Sequence, residues 1–217
     1  MSDHFQTIDA APGRGADVEL EIKRSRFLAR IRRVGTEEAA RAVIDGRRTH
    51  HFDARHHCSA FVLGPDARTA RSSDDGEPAG TAGIPMPQVL QKNSLTDVVV
   101  VVTRYFGGVK LGAGGLVRAY SDAVARAVEA AGTRTVRLCS LLRVDVDFAS
   151  VGAIEDQLRG LVLPSGEAVV VDGVDWTDRA HIQVAVPVSA AEEIDAALAT
   201  ISAGSVSAVR VGHRWVG

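Results

Sequence analysis

The sequence predicts an α+β protein of two domains, and three observations lead to this prediction. The chain has 217 residues, with 46% apolar and 24% charged residues, which is typical of a folded globular protein. Short apolar runs with strand-like alternation are separated by segments with helical spacing. A strand–helix pattern begins again near residue 135. We therefore predict a flexible lead-in over residues 1–17, one domain over 18–134 and a second over 135–217.

The first domain is predicted to contain four strands and three helices. Thr36 can cap a helix whose first turn carries Glu37 and Glu38. The run Val98–Val102 is apolar throughout, which predicts a central strand with both faces buried. The order β-β-α-β-α-β-α indicates an α/β sandwich, with one sheet and helices on one face. The elements are two strands within 18–33, strands at 57–63 and 98–104, and helices at 36–49, 85–91 and 116–131.

The second domain is predicted to be ferredoxin-like, with the order β-α-β-β-α-β. It lacks an aromatic pair on its first or third strand, where an RNA-recognition sheet would stack bases. We therefore expect a docking or regulatory module here. Its predicted strands are 138–148, 168–171, 182–186 and 206–215, and its predicted helices are 151–161 and 190–201.

Two loops on either side of strand 98–104 form the candidate site. The second loop is rich in glycine and leads into a helix, whose free N–H groups and dipole can bind an anion. We predict that the acidic first loop packs over it, leaving an anion pocket at Gly112–Gly115. The acidic-loop candidates are Asp74, Asp75, Glu77 and Thr81. The anion-binding candidates are Arg104, Tyr105, Gly107, Gly108, Lys110, Gly112, Gly114, Gly115 and Arg118.

The acidic loop allows more than one interpretation. Asp74, Asp75 and Glu77 could bind Mg²⁺ together with water and phosphate, or they could simply form a turn and a helix entry. Arg104 ends a buried strand, so it needs a carboxylate or a phosphate as partner. One of the three loop carboxylates is the expected structural partner. No cofactor is expected, and Mg²⁺ remains open.

His56 and Cys58 are secondary candidates because they face the same side of a predicted strand. A zinc site would need spaced ligand pairs with a closing pair, and the sequence shows none. A Cys–His nucleophile pair is open, although no orienting partner is evident. We therefore assign no metal to these residues.

The loop strings SDDGEPAGTAG, VVVTRYFGG and KLGAGGLVRAY, with EIKRSRF at 21–27 and ARHHCSAF at 54–61, resemble the IMPACT/YigZ family. The resemblance covers most of the first 135 residues, and the remainder resembles the small C-terminal domain of bacterial members more loosely. It implies an N-terminal fold similar to domain IV of elongation factor G and to a ribosomal small-subunit protein domain. It also implies a link to translation, which eukaryotic relatives regulate.

Charge is unevenly placed along the chain. Residues 1–136 carry 19 Lys and Arg against 16 Asp and Glu, whereas residues 137–217 carry 6 against 11. The basic excess is concentrated in Lys23–Arg55, a stretch that could contact phosphates.

No apolar run is long enough to span a bilayer, no signal peptide is evident, and Cys58 and Cys139 lie in different predicted domains, so we expect a cytoplasmic protein.

These observations favour a non-enzymatic regulator linked to translation. Its expected ligands or partners are RNA, a nucleotide, or the ribosome and translation factors, bound through the first domain. Two alternatives stay open. One is an enzyme acting on a phosphorylated small molecule, with Asp75 and Glu77 as base or metal ligands; the other is a pure protein-docking module. The oligomeric state is not predicted.

Overall fold

The computed structural model describes residues 3–217 and divides into two compact units, one ending at Thr135 and the other spanning Val136–Gly217. The elements before the boundary are β1 (His4–Ile8), β2 (Asp17–Ile22), β3 (Ser25–Arg33), α1 (Glu37–His50), β4 (His56–Leu63), β5 (Thr69–Ser73), α2 (Pro85–Lys92), β6 (Val98–Tyr105) and α3 (Ala113–Ala131). The later elements are β7 (Thr133–Val146), which begins at the boundary, then α4 (Val151–Arg159), β8 (Val170–Trp176), β9 (Ala180–Pro187), α5 (Glu193–Ile201) and β10 (Ala208–Val216).

The first unit is built on an antiparallel sheet in the order β2-β3-β6-β4-β5. Its central strand, β6, contains five consecutive valines, Val98–Val102, that are all fully buried. Side chains alternate across a strand, so a run of this kind needs cover on both faces of the sheet. Edge strand β5 was not predicted, because Thr69–Ser73 is almost entirely exposed and carries no apolar alternation.

The helices cover both faces of this sheet, so the predicted placement on one face is wrong. Val99 and Val101 pack with Ala40 and Ile44 of α1. The alternate valines of β6 pack with Met86 of α2 and with the apolar face of α3. Helix α1 follows its sequence signals closely, since the Thr36 side chain accepts a hydrogen bond from the Ala39 N–H at 3.1 Å.

The predicted lead-in over residues 1–17 is ordered from His4 to Ile8, where it forms β1. Ile8 is fully buried and belongs to the core of the first unit. Gln6 forms a parallel bridge with Leu95, and its carbonyl accepts a hydrogen bond from the Thr96 N–H at 2.9 Å. A five-residue strand among small and acidic residues is too short for its apolar periodicity to be detected in the sequence. Its apolar side chains are nevertheless the ones that are buried.

The second unit has the element order β-α-β-β-α-β, as predicted. Its strands lie in the order β10-β7-β9-β8, and every neighbouring pair is antiparallel. Both helices pack into one cluster with the sheet, through side chains such as Ile154 and Leu158 of α4 and Ile194 and Leu198 of α5. In residues 3–217, no helix is long and apolar enough to cross a membrane.

We expect a fragment ending at Thr135 to fold without the rest of the chain. The first unit contains its own clusters of buried side chains, one on each face of its sheet, and its length is adequate for an independent domain. Thermal unfolding of the purified fragment, followed by circular dichroism, should give one cooperative transition. A gradual loss of signal without a transition would contradict this expectation.

Candidate functional site

A cleft of about 680 Å³ lies where β6 ends and α3 begins. It brings together six of the predicted site residues, namely Arg104, Tyr105, Lys110, Gly112, Glu77 and His56. Its wall also contains Arg55 of the basic stretch and Ala113 of the predicted anion pocket, together with Asp53, Phe106 and Leu111, which the sequence did not single out. The other predicted residues, namely Gly107, Gly108, Gly114, Gly115, Arg118, Asp74, Asp75, Thr81 and Cys58, do not line the cleft.

The floor of the site is a buried ion pair between the end of β6 and the acidic loop. Arg104 Nη1 donates to Glu77 Oε1 at 2.7 Å, and the two side chains are only 7% and 3% exposed. The Tyr120 hydroxyl donates to the same oxygen at 2.8 Å, and burial raises the pKa of Tyr120, which keeps this donor protonated. The prediction that an acidic-loop carboxylate pairs with Arg104 is confirmed, and that carboxylate is Glu77.

The Arg104 guanidinium is also held between two aromatic rings. Its Cζ lies 5.4 Å from the ring centroid of Phe27 and 5.7 Å from that of Phe106, and such cation–π contacts are strongest where water is excluded. The Nε of Arg104 is buried and has no hydrogen-bond partner in the part of the chain that the structure describes. The Nε is therefore an unsatisfied buried donor on a side chain that lines the cleft.

The Asp74 carboxylate stabilises the acidic loop itself. Asp74 accepts hydrogen bonds from the N–H groups of Gly80, Ala82 and Gly83 at 2.9, 2.8 and 2.7 Å. Burial by itself would raise the pKa of Asp74, but these backbone donors outweigh it and hold the pKa below its ordinary value. Thr81 closes the same turn, since its hydroxyl donates to the Pro78 carbonyl at 2.7 Å.

Asp75 connects the acidic loop to the neighbouring elements. Its carboxylate accepts from the His57 N–H at 2.7 Å and from Arg48 Nη2 at 2.8 Å. All three loop carboxylates are thus engaged by protein donors. Among residues 3–217, no group of three or more His, Cys, Asp or Glu side chains is placed to hold a metal ion.

His56 and Cys58 do not form a nucleophilic pair. The His56 Nδ1 lies 3.0 Å from the Asp75 carbonyl oxygen; because a carbonyl only accepts, this nitrogen carries the proton. Cys58 donates its S–H to the Asp74 carbonyl at 3.0 Å, and burial raises the pKa of the thiol to about 12. The thiol is therefore protonated at neutral pH, and a protonated thiol is a poor nucleophile.

The glycines of the second loop serve different purposes. A Cβ on Gly107 would lie 2.0 Å from the carbonyl carbon of Arg24, so the turn between β2 and β3 can approach only a glycine here. Gly108 and Gly112 have φ angles of 84° and 73°, which favour glycine. These three residues are required by the chain's own folding.

Gly114 and Gly115 belong to the first turn of α3, which begins at Ala113 and so three residues before its predicted start. Glycine is a poor helix former, and that is why the spacing of apolar residues placed both in the loop. A Cβ on Gly115 would lie 3.0 Å from Leu111 Cβ, whereas a Cβ on Gly114 would meet nothing within 4 Å. The fold itself therefore supplies no reason for a glycine at position 114.

The amino end of α3 lines the same cleft as Arg55 and Lys110. Among the residues that the structure describes, no side chain caps this 19-residue helix, and its first turn contains no acidic residue. Its initial N–H groups therefore remain as anion donors beside the cleft. Within the described residues, Arg55 and Lys110 of the cleft form no ion pair, and neither does the exposed Arg118 on α3. The remaining acid of the cleft, Asp53, accepts from the Tyr105 hydroxyl at 2.8 Å.

The basic stretch Lys23–Arg55 is less basic in the structure than its composition suggested. Several of its arginines form ion pairs with acidic residues that lie outside the stretch, either on the neighbouring strand β2 or in the acidic loop. These ion pairs offset the positive charge of the arginines. The pairs are Arg26 with Glu19, Arg30 and Arg32 with Asp17, and Arg48 with Asp75. Arg55 is the basic residue of this stretch that lines the cleft.

Replacing Arg104 by Ala should destabilise the first unit by about 3–5 kcal/mol, because it leaves the Glu77 carboxylate buried without its cation. A matched control is Arg26→Ala, which removes an exposed ion pair with Glu19 at 2.6 Å and should lower stability far less, because water screens an exposed pair. The measurement is urea denaturation of each variant. Equal losses for the two variants would show that the buried pair is not a principal support of the fold.

Gly107→Ala should lower the stability of the first unit, whereas Gly114→Ala should not. The first forces a methyl group into the Arg24 backbone and should cost about 1–3 kcal/mol or more. The second adds a methyl group in open space on a helix and should be neutral or stabilise by up to about 1 kcal/mol. The measurement is the melting temperature of each variant. A large decrease in the melting temperature of Gly114→Ala would mean that the start of α3 is assigned incorrectly.

The part of the sequence that contains the cleft is similar to known proteins. A family model described as the Impact N-terminal domain matches residues 23–128, a range that includes both loops and the whole cleft. The chain is 35% identical to IMPACT family member YigZ of Escherichia coli K12 over 94% of this chain and 97% of that protein. It is 44% identical to IMPACT family member YvyE of Bacillus subtilis 168, over 65% of each chain.

Solved structures include a close match in fold. A crystal structure described as that of an hypothetical protein is 33% identical and covers 97% of this chain and 98% of its own, with a TM-score of 0.62. Similarity to YigZ over nearly the full length of both chains agrees with the resemblance of the loop strings. The chain therefore belongs to the IMPACT family and is a YigZ homologue.

Proposed function

We propose that this protein is a non-enzymatic cytoplasmic regulator linked to translation, which binds RNA or a nucleotide through the cleft of its first unit. The observation that carries the proposal is the convergence of unpaired positive groups on one cleft. Within residues 3–217, Lys110 and Arg55 have no ion-pair partner, and no side chain caps the amino end of α3. Arg104 is paired with Glu77, but its Nε adds a buried donor that has no hydrogen-bond partner among residues 3–217.

Phosphate is the ligand chemistry that suits this arrangement. Backbone N–H groups at a helix amino end bind phosphate oxygens, and the helix dipole adds a favourable field. Lys and Arg side chains add charge-assisted hydrogen bonds. Gly114 supports the same interpretation, because a residue without a side chain lets a ligand approach the helix backbone closely.

A binding role is favoured over turnover by the state of the reactive side chains. The Glu77 carboxylate is committed to Arg104 and Tyr120, and Asp75 to His57 and Arg48. Neither carboxylate is thus left to act as a general base, as the enzyme alternative requires. A pure docking module would not need unpaired cations gathered at a helix end, so that alternative is also less favoured.

The link to translation rests on the resemblance to the family and on topology. We propose that the first unit is similar to domain IV of elongation factor G and to a ribosomal small-subunit protein domain, and that the second is ferredoxin-like. The order β10-β7-β9-β8 with two helices in one cluster supports the second assignment. Ribosomal RNA, or the ribosome and its factors, are accordingly the partners we propose.

Binding to single-stranded RNA should weaken steeply with salt, since each phosphate contact releases counterions. Lys110→Ala should weaken binding and reduce the slope of log K against log salt by about 0.7. Fluorescence anisotropy of a labelled oligonucleotide measures both. Because Lys110 is exposed and forms no ion pair with the residues that the structure describes, its loss should leave the melting temperature unchanged.

Lys92→Ala is the matched control, because Lys92 is likewise exposed and forms no ion pair within the described chain but does not line the cleft. It should leave affinity and slope as in the parent. RNA binding that is absent at low salt, or that Lys92→Ala weakens as much as Lys110→Ala does, would reject the cleft as the binding site.

A further inference from the structure

Phe106 presents an aromatic ring on the wall of the cleft, supported from behind. The Arg104 guanidinium lies 5.7 Å from the ring centroid and is itself fixed by Glu77 and by the ring of Phe27. Despite this contact, 57% of Phe106 is exposed. The chain next to it is anchored, because the Gly107 N–H donates to Ser25 Oγ at 3.1 Å. The ring is thus held in place and open to a ligand.

An exposed aromatic side chain needs no explanation on an ordinary surface. Phe106 differs because it shares a cleft with Lys110, Arg55 and the uncapped start of α3. Proteins that bind single strands combine a positive groove for phosphates with aromatic rings on which bases stack. Both parts of that arrangement line the same cleft here.

We propose that Phe106 is a stacking platform for an unpaired base whose phosphate lies at the amino end of α3. The ligand class that follows is a nucleotide with an exposed base face, either within single-stranded RNA or free, and not a duplex. This inference rests on the proposed function and specifies its ligand. Bases within a duplex stack on one another, so their faces cannot reach Phe106.

Stacking also determines what the site distinguishes. Every base has an aromatic face, so a stacking platform tolerates sequence. We expect oligonucleotides of different sequence to bind with similar affinities, whereas the same strands annealed into a duplex bind more weakly. Inorganic polyphosphate, which carries the charge but no base, uses only the cationic part of the cleft.

The test compares Phe106→Leu, Phe106→Trp and Phe148→Leu in the full-length chain. Phe148 is a matched control, because it is an exposed Phe, at 54%, in the second unit. The probes are a short single-stranded RNA, adenosine monophosphate and inorganic polyphosphate. Phe106→Leu should weaken RNA binding by about 5- to 150-fold while polyphosphate binding and the melting temperature stay as in the parent. Phe106→Trp should retain RNA binding, and Phe148→Leu should leave RNA binding as in the parent.

The remaining outcomes separate the two claims. If Phe106→Leu binds RNA as the parent does, the stacking inference is wrong while polyphosphate binding still supports the cleft. If Phe106→Leu loses polyphosphate binding or stability to the same extent, Phe106 acts by supporting Arg104, which also rejects stacking. If the parent binds neither RNA nor polyphosphate, the proposed function fails together with the inference. Adenosine monophosphate binding that Phe106→Leu weakens would identify the free nucleotide as sufficient.

Discussion

The pair formed by Arg104 and Glu77 is the interaction on which the site depends. It joins the end of the central strand to the acidic loop, and Tyr120 of α3 donates to the same carboxylate oxygen. Burial of a charge is costly unless hydrogen bonds and an opposite charge compensate for it. Strand, loop and helix must therefore meet correctly before the pair can form. The shape of the cleft above them therefore depends on how these three elements meet.

The pair also prepares the cleft for a ligand. A free arginine side chain loses up to about 2 kcal/mol of rotamer entropy when it is immobilised. Arg104 is already fixed by Glu77 and lies between Phe27 and Phe106, so its ordering belongs to folding and not to binding. Lys110, by contrast, is exposed and has no ion-pair partner in the described part of the chain, so its ordering would accompany binding. The cleft thus combines a rigid floor with an adaptable rim.

Local patterns in the sequence predicted most elements, and tertiary context explains the failures. The need of a buried cation for a carboxylate predicted a partner for Arg104 in the acidic loop, but only the folded loop shows that Asp74 binds backbone and Glu77 binds Arg104. The basic stretch was overestimated because pairing with Asp17 requires the register of β2 and β3. Helices on both faces could have been inferred from the buried valines of β6. Phe106 was missed because periodicity says nothing about a single aromatic residue in a loop.

The contact between Gly107 and the turn at Lys23 and Arg24 restricts how the first unit can diverge. The turn joins β2 to β3 with only these two residues, both at positive φ angles of 48° and 66°. The side chains of this turn can vary, because the turn contacts Gly107 through its backbone. An inserted residue, by contrast, would push the Arg24 carbonyl into the loop that contains Gly107. Ser25 and Gly107 are bonded across 82 positions of sequence. A change in the length of this hairpin would therefore alter the backbone next to the cleft. Among relatives that keep the cleft, insertions and deletions in this turn should be rarer than substitutions.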